Sequence, residues 1–270
     1  MFENNVFWYS EFRVKVSDQS RANNGLFLSG RNNFSFSVVS NAFFNANLNV
    51  TTMVFTVGGI KGGSGKTTIA TNLTVLLSKQ GFDVLLVDAD EQETSTDFTA
   101  WREENLQGEI GFTAIKLSGE AVRSQILKLV PKYDHIVIDT GGRDTTSQRA
   151  AMTVSDVYLV PFNPRSFDLW TLNKVERLVQ EIRAVQATPL TAFAFLNRAD
   201  PKGTDNNDAA ELLQASEVFT YLPTPLINRK AYSNAASQGL GVVEMEAKDP
   251  KATTEITKLF EAINPLIVKG

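Results

Sequence analysis

From Met53 onward, short apolar runs alternate with longer stretches whose apolar residues recur at helical spacing, the pattern of a parallel sheet covered by helices. The runs predict strands at Met53–Val57, Val84–Asp88, Gly111–Ile115, His135–Asp139, Val157–Pro161, Leu190–Leu196 and Val218–Leu222. Between them, Ile69, Leu73, Leu76 and Leu77 share one helix face, and Leu169, Leu172, Val175, Val179 and Ile182 share another. Both stripes read as core. The first 50 residues keep neither period, and Asn recurs there from Asn4 to Asn49 among scattered aromatics. Nor do they hold the pair of amphipathic helices that a helix-turn-helix head requires. The expected organisation is an Asn-rich leader over 1–50, disordered or not native with translation starting near Val50 or Met53, followed by an α/β domain over 51–270.

Composition narrows the classes. The 270 residues suffice for one α/β domain with an appendage, and 43% hydrophobic against 21% charged residues is a globular balance. A net charge of −4 gives no global attraction to nucleic acid, so DNA binding would need a local basic patch. The lack of cysteine excludes disulfides, thiolate zinc sites, iron–sulfur clusters and cysteine nucleophiles, and fits a reducing cytoplasm. No apolar run approaches the roughly 20 residues needed to cross a bilayer, and no charged segment leads into a signal-like apolar stretch.

The chemistry begins at Gly59–Thr68, which follows an apolar strand and opens an amphipathic helix, the context a P-loop requires. Backbone N–H groups of Gly62, Gly63, Ser64, Gly65 and the residues after them can turn inward around phosphate oxygens, with the helix N-terminus adding partial positive charge. Lys66 can neutralise the β and γ phosphates and Thr67 can ligate Mg²⁺. Asp88 and Asp90 end one buried strand and Asp139 another, and in an open parallel sheet such ends face the ligand crevice. Asp139 reads as the acid behind a Mg²⁺-bound water. The single histidine, His135, begins a strand and reads as structural, which removes a Ser/His/Asp hydrolase.

Lys61-Gly62-Gly63-Ser64-Gly65-Lys66-Thr67 resembles the deviant Walker A motif of the ParA/MinD family, which carries an additional lysine, here Lys61, near the loop start. Val87-Asp88-Ala89-Asp90-Glu91-Gln92 resembles that family's second acidic motif, with Glu91 in place of the usual proline. Asp139-Thr140-Gly141-Gly142-Arg143-Asp144 resembles the switch segment of small plasmid-type ParA proteins. Pro164 with Asp168, and Ile227-Asn228-Arg229, match further stretches, so the likeness runs from about Met53 to the C-terminus.

The resemblance implies a P-loop NTPase fold, with a mostly parallel central sheet and helices on both faces. It also assigns roles. Lys61, Lys66 and Asp90 would be catalytic, with Lys61 reaching the ATP of a partner subunit and Asp90 orienting the attacking water. Gly62 to Thr68 would cradle ATP; Thr67, Asp88 and Asp139 would serve Mg²⁺; and Asn197, Pro223 and Pro225 would border the adenine. Asn197 reads equally as a strand-end turn residue. The expected function is an ATPase that dimerises on ATP, binds nonspecific DNA, and positions a plasmid, chromosome or protein assembly such as a carboxysome. A ParB-like or McdB-like adaptor would stimulate its hydrolysis. It would be cytoplasmic and nucleoid-associated when ATP-bound. Arg229, Lys230, Lys248 and Lys251 are the DNA-contact candidates, each also at home as a solvated surface group. The alternatives are a MinD-like membrane switch using the Ile256, Leu259, Phe260, Ile263 stripe, which Pro265 interrupts, and a P-loop ligase or kinase acting on a small molecule.

Overall fold

The computed structural model of the protein describes residues 52–164, 171–245 and 249–267. The 1–50 leader, Leu169, Asp168 and Lys248 therefore lie outside the described residues. Seven strands form one sheet: β1 (Met53–Val57), β2 (Val84–Ala89), β3 (Thr113–Lys116), β4 (His135–Thr140), β5 (Val157–Phe162), β6 (Thr191–Leu196) and β7 (Thr220–Tyr221). Their order is β3-β2-β4-β1-β5-β6-β7, and every pairing is parallel. Eight α-helices lie among the described residues: α1 (Lys66–Lys79), α2 (Thr94–Asn105), α3 (Ala121–Leu129), α4 (Thr146–Met152), α5 (Leu172–Val185), α6 (Asp205–Gln214), α7 (Lys230–Ala236) and α8 (Pro250–Ile267).

Strand alternation sorts the core into two faces. Phe55, Val57, Leu86, Val137, Leu159 and Phe195 point to the side covered by α1 and α8, where Ile69, Leu73 and Leu77 of α1 meet Ile256, Leu259, Phe260 and Ile263 of α8. That C-terminal stripe is thus core, and α8 runs past Pro265 because the hydrogen bond lost there falls in its last turn. On the opposite face, Leu85, Val87, Ile136 and Ile138 pack against α3 and α4. Val160, Ala192, Ala194 and Leu196 pack against α5 and α6, including Leu172, Val175, Val179 and Ile182. Central strands buried on both faces explain their near-continuous apolar runs.

Two boundaries differ from the sequence pattern. Strand β3 starts at Thr113 because Gly111 sits at φ 81°, outside strand geometry. Strand β7 shrinks to two residues because Ser216 Oγ accepts from the N–H groups of Val218 (3.2 Å) and Phe219 (3.1 Å), diverting them from the sheet. No helix among the described residues is long and apolar enough to cross a membrane. His135 lies at the start of β4, away from the carboxyl ends of the strands, buried between the rings of Phe55 and Phe82.

Candidate functional site

Strand β1 is flanked by β4 and β5, so the chain departs from it to both sides and opens a crevice at the carboxyl ends of the strands. A cavity of about 710 Å³ fills that crevice. One wall is the P-loop and the start of α1, through Gly62, Gly63, Gly65, Lys66, Thr67 and Thr68. The other carries Asp90 and Glu91 after β2, Gly141 to Arg143 after β4, Thr145 and Ser147 at the start of α4, and Arg198 after β6.

The loop is shaped by contacts a side chain would prevent. Gly65 precedes α1 at φ 92°, and a Cβ there would run into the Asn197 amide nitrogen. No side chain caps α1, so its first N–H groups remain available to an anion. Lys66, 6% exposed, donates from Nζ to the Lys61 carbonyl at 3.0 Å, which holds the ammonium across the loop. Ser64 is buried, and with Lys61 it lines a small crevice behind the loop near Val160 and Val175 rather than the main cavity.

The acids divide. In register, Val57, Asp139 and Asp88 stand side by side across β1, β4 and β2. Asp139 is wholly buried beneath the loop; its Oδ2 accepts from Ser95 Oγ at 2.5 Å, while Oδ1 lacks a well-formed hydrogen bond. Burial pushes its carboxyl up to about 7, against the pull of the Ser95 and Thr67 hydroxyls, with Asp88 adding to the rise and Lys66 opposing it. Asp90 lines the cavity, close enough to Gly141 that a Cβ there would stand 2.9 Å from its Oδ1.

Asp88 does not join them. One strand further from the loop, it lies under α2, where Oδ2 accepts from Thr96 N and Thr96 Oγ1, both at 2.8 Å, and Oδ1 from Asp90 N at 3.1 Å. Both oxygens thus cap α2 and the preceding turn. The adenine-side candidates lie outside the cavity lining. Asn197, 6% exposed, donates to Ser64 O at 2.6 Å and so pins the P-loop from below. Pro223 and Pro225 are exposed on the loop after β7 and do not line the cavity. Arg229 is folded into a bidentate pair with Glu255 of α8, at 2.6 to 3.1 Å, leaving Lys230 and Lys251 as the exposed members of the basic set among the described residues.

Three features carried no assigned role in the sequence. Arg143 and Arg198 line the cavity, and Arg198 holds a left-handed φ of 55°. Gly142 packs on the P-loop so tightly that a Cβ would meet Gly62 N at 2.6 Å. Gln148 of α4 is fully buried among Gly59, Thr140 and Gly141. Gly142 and Arg143 belong to the switch-like segment, whereas the only sequence signal of Arg198 and Gln148 is nearness to the motifs.

The residues fit a triphosphate held with a hard divalent cation. The uncapped helix start and glycine loop suit phosphate, while the Thr67 hydroxyl and the orphaned Asp139 Oδ1 suit Mg²⁺ or its water shell. Among the described residues no three His, Cys, Asp or Glu side chains form a cage.

Comparisons with known proteins agree with this fold. The profile of the CobQ/CobB/MinD/ParA nucleotide binding domain matches residues 55–242. The maintenance of carboxysome distribution protein A of Halothiobacillus neapolitanus is 28% identical over 211 residues, covering 77% of this chain and 95% of that protein. An ATP complex of a Cyanothece McdA variant superposes with a TM-score of 0.68 at 19% identity, over 79% of this chain and 97% of that one. MinD from Pyrococcus horikoshii with Mg-ADP gives a TM-score of 0.61 at 18% identity, over 80% and 97%.

Proposed function

This chain belongs to the CobQ/CobB/MinD/ParA family of nucleotide-binding domains, and from that premise we propose that it is an ATPase that dimerises on ATP, binds nonspecific DNA and positions or segregates a cargo. The observation that carries the proposal is the cavity that brings the P-loop, Asp90 and the Gly141–Arg143 segment together. The relatedness to a carboxysome-distribution protein supports positioning as the task.

In this reading the loop amides and Lys66 bind the β and γ phosphates, and Thr67 and Asp139 hold Mg²⁺ and its water shell. Mg²⁺, when bound, offsets charge building on the transferring phosphoryl group. Asp90 orients a water toward that group, and Arg143 adds positive charge on the same wall. Lys61 supplies its charge to the ATP of the second subunit, so turnover awaits the dimer. A ParB-like or McdB-like adaptor stimulates that step, and Lys230 and Lys251 contribute to an ATP-dependent, nucleoid-facing surface whose DNA affinity falls steeply with salt.

The test is phosphate release by the full chain, with and without duplex DNA, beside sedimentation with a non-hydrolysable ATP analogue. Dimerisation on the analogue is expected, and Lys61→Ala should keep ATP binding but lose stimulated turnover. A chain that stays monomeric when saturated with the analogue would overturn the proposal.

A further inference from the structure

Gln148 lies in the first turn of α4, wholly buried, and its amide touches two separate segments of the nucleotide site, the P-loop start and Thr140–Gly141. Thr140 Oγ1 donates to Val57 O at 3.0 Å and is therefore left as an acceptor toward Gln148. The amide accordingly turns its nitrogen inward, 3.1 Å from Gly59 O, 3.2 Å from Thr140 Oγ1 and 3.3 Å from Gly141 O. Gly59 opens the P-loop, Thr140 follows Asp139 on β4, and Gly141 abuts Asp90. The backbone of α4 supports this posture, because Thr145 Oγ1 accepts from Gln148 N at 3.2 Å.

The next residue grips the same segment from outside. Arg149 forms a bidentate pair with Asp144, at 2.7 Å for both bonds, and reaches Glu181 of α5 at 2.9 Å. Those groups are 41 to 48% exposed, so the outer grip contributes little stability and yields readily. The inner one is buried, and losing its donor would strand two main-chain carbonyls.

We infer that Gln148 is a positioning residue that sets the spacing between the P-loop and the Asp139–Arg143 segment, and so the alignment of Asp90 with the phosphates. This rests on the ATPase function proposed above. Phosphate contacts to loop amides and Lys66 lie on one wall, so affinity depends weakly on that spacing. Water attack spans both walls and depends on it strongly, since a displacement of about 1 Å can cost on the order of 100-fold in rate.

The experiment compares the full-length wild type with Gln148→Met, which keeps bulk and loses the donor, and Gln148→Asn, which keeps the amide and loses reach. A fluorescent ATP analogue gives affinity, and phosphate release at saturating ATP and Mg²⁺ gives kcat. Gln148→Met should bind within about 3-fold of wild type and turn over roughly 10- to 100-fold more slowly, with Gln148→Asn between them. Equal kcat in Gln148→Met, or affinity lost in step with kcat, overturns the inference while leaving the ATPase function intact. If Gln148→Met does not fold, Gln148→Asn decides alone, and failure of both to bind the analogue makes Gln148 a purely structural residue. A wild type that binds ATP without turnover overturns the function itself.

Discussion

Replacing Asp139 by Asn should stabilise the nucleotide-free protein in alkaline solution, although it removes a group assigned to Mg²⁺ in the proposed function. Burial raises this carboxyl from 3.8 to about 7 in the folded chain. A difference of about 3 units, at 1.36 kcal/mol each, is on the order of 4 kcal/mol of differential stability. The folded value lies above the unfolded one, so the contribution of the protonated group is fully present below about pH 4 and fades as pH rises through 7. Roughly 2–3 kcal/mol of it should disappear between pH 5 and pH 8. The neutral amide of Asp139→Asn would carry no such dependence. Its oxygen can still accept from Ser95 Oγ, and its NH₂ would replace the unsatisfied Oδ1 at a pH-independent cost of about 1–3 kcal/mol. Urea unfolding at pH 5 and pH 8 in EDTA, without nucleotide, measures the gap between variant and wild type. It should widen toward pH 8 by an amount large beside a total stability of about 5–15 kcal/mol. A gap constant to within about 1 kcal/mol would refute the burial account of the shift.

His135→Phe should also stabilise, by about 1–2 kcal/mol at pH 8, because it deletes two buried ring nitrogens that have no hydrogen-bond partner between Phe55 and Phe82. Burial depresses the His135 ring against the opposing pull of Asp134, so wild-type stability from this group is intact above about pH 6.5 and lost on acidification. Melting temperatures at pH 5.5 and 8 should diverge further in acid, and parallel profiles would contradict the assignment. Gly142→Ala places a methyl 2.6 Å from Gly62 N and 2.7 Å from Gly62 Cα, so one loop must move. Phosphate release at saturating ATP should fall by on the order of 100-fold while affinity for a fluorescent ATP analogue stays within about 3-fold, for about 1–3 kcal/mol of lost stability, and unchanged turnover would mean the two loops separate freely.

What was legible in the sequence follows from how local each signal is. The P-loop announces itself because glycines, a lysine and a hydroxyl must follow a strand and open a helix within ten residues, and β1 and α1 satisfy that demand without outside help. The convergence of the strand ends was legible for the same reason, since parallel pairing aligns Val57, Asp139 and Asp88 whatever their partners. Edge strands were less so: a left-handed Gly111 and the Ser216 hydroxyl set where β3 and β7 begin, and neither alters the apolar pattern.

Side-chain commitments were the part that could not be read, and they fall into one physical class. A polar residue is free to serve a ligand only if the fold has not already satisfied it, and its partner can lie far along the chain. Asp88 spends both oxygens on Thr96 and the Asp90 amide, Asn197 spends its amide on Ser64, and Arg229 spends its guanidinium on Glu255, 26 residues away. Asp139 is the converse, a buried acid with one oxygen unsatisfied and its carboxyl raised to about 7. Such a group is costly in a nucleotide-free fold, and a bound cation nearby would lower that cost by favouring its ionised form. Mg²⁺ with nucleotide should therefore flatten the pH dependence of wild-type stability while leaving that of Asp139→Asn unchanged. Equal flattening in both proteins would place the cation's charge away from Asp139.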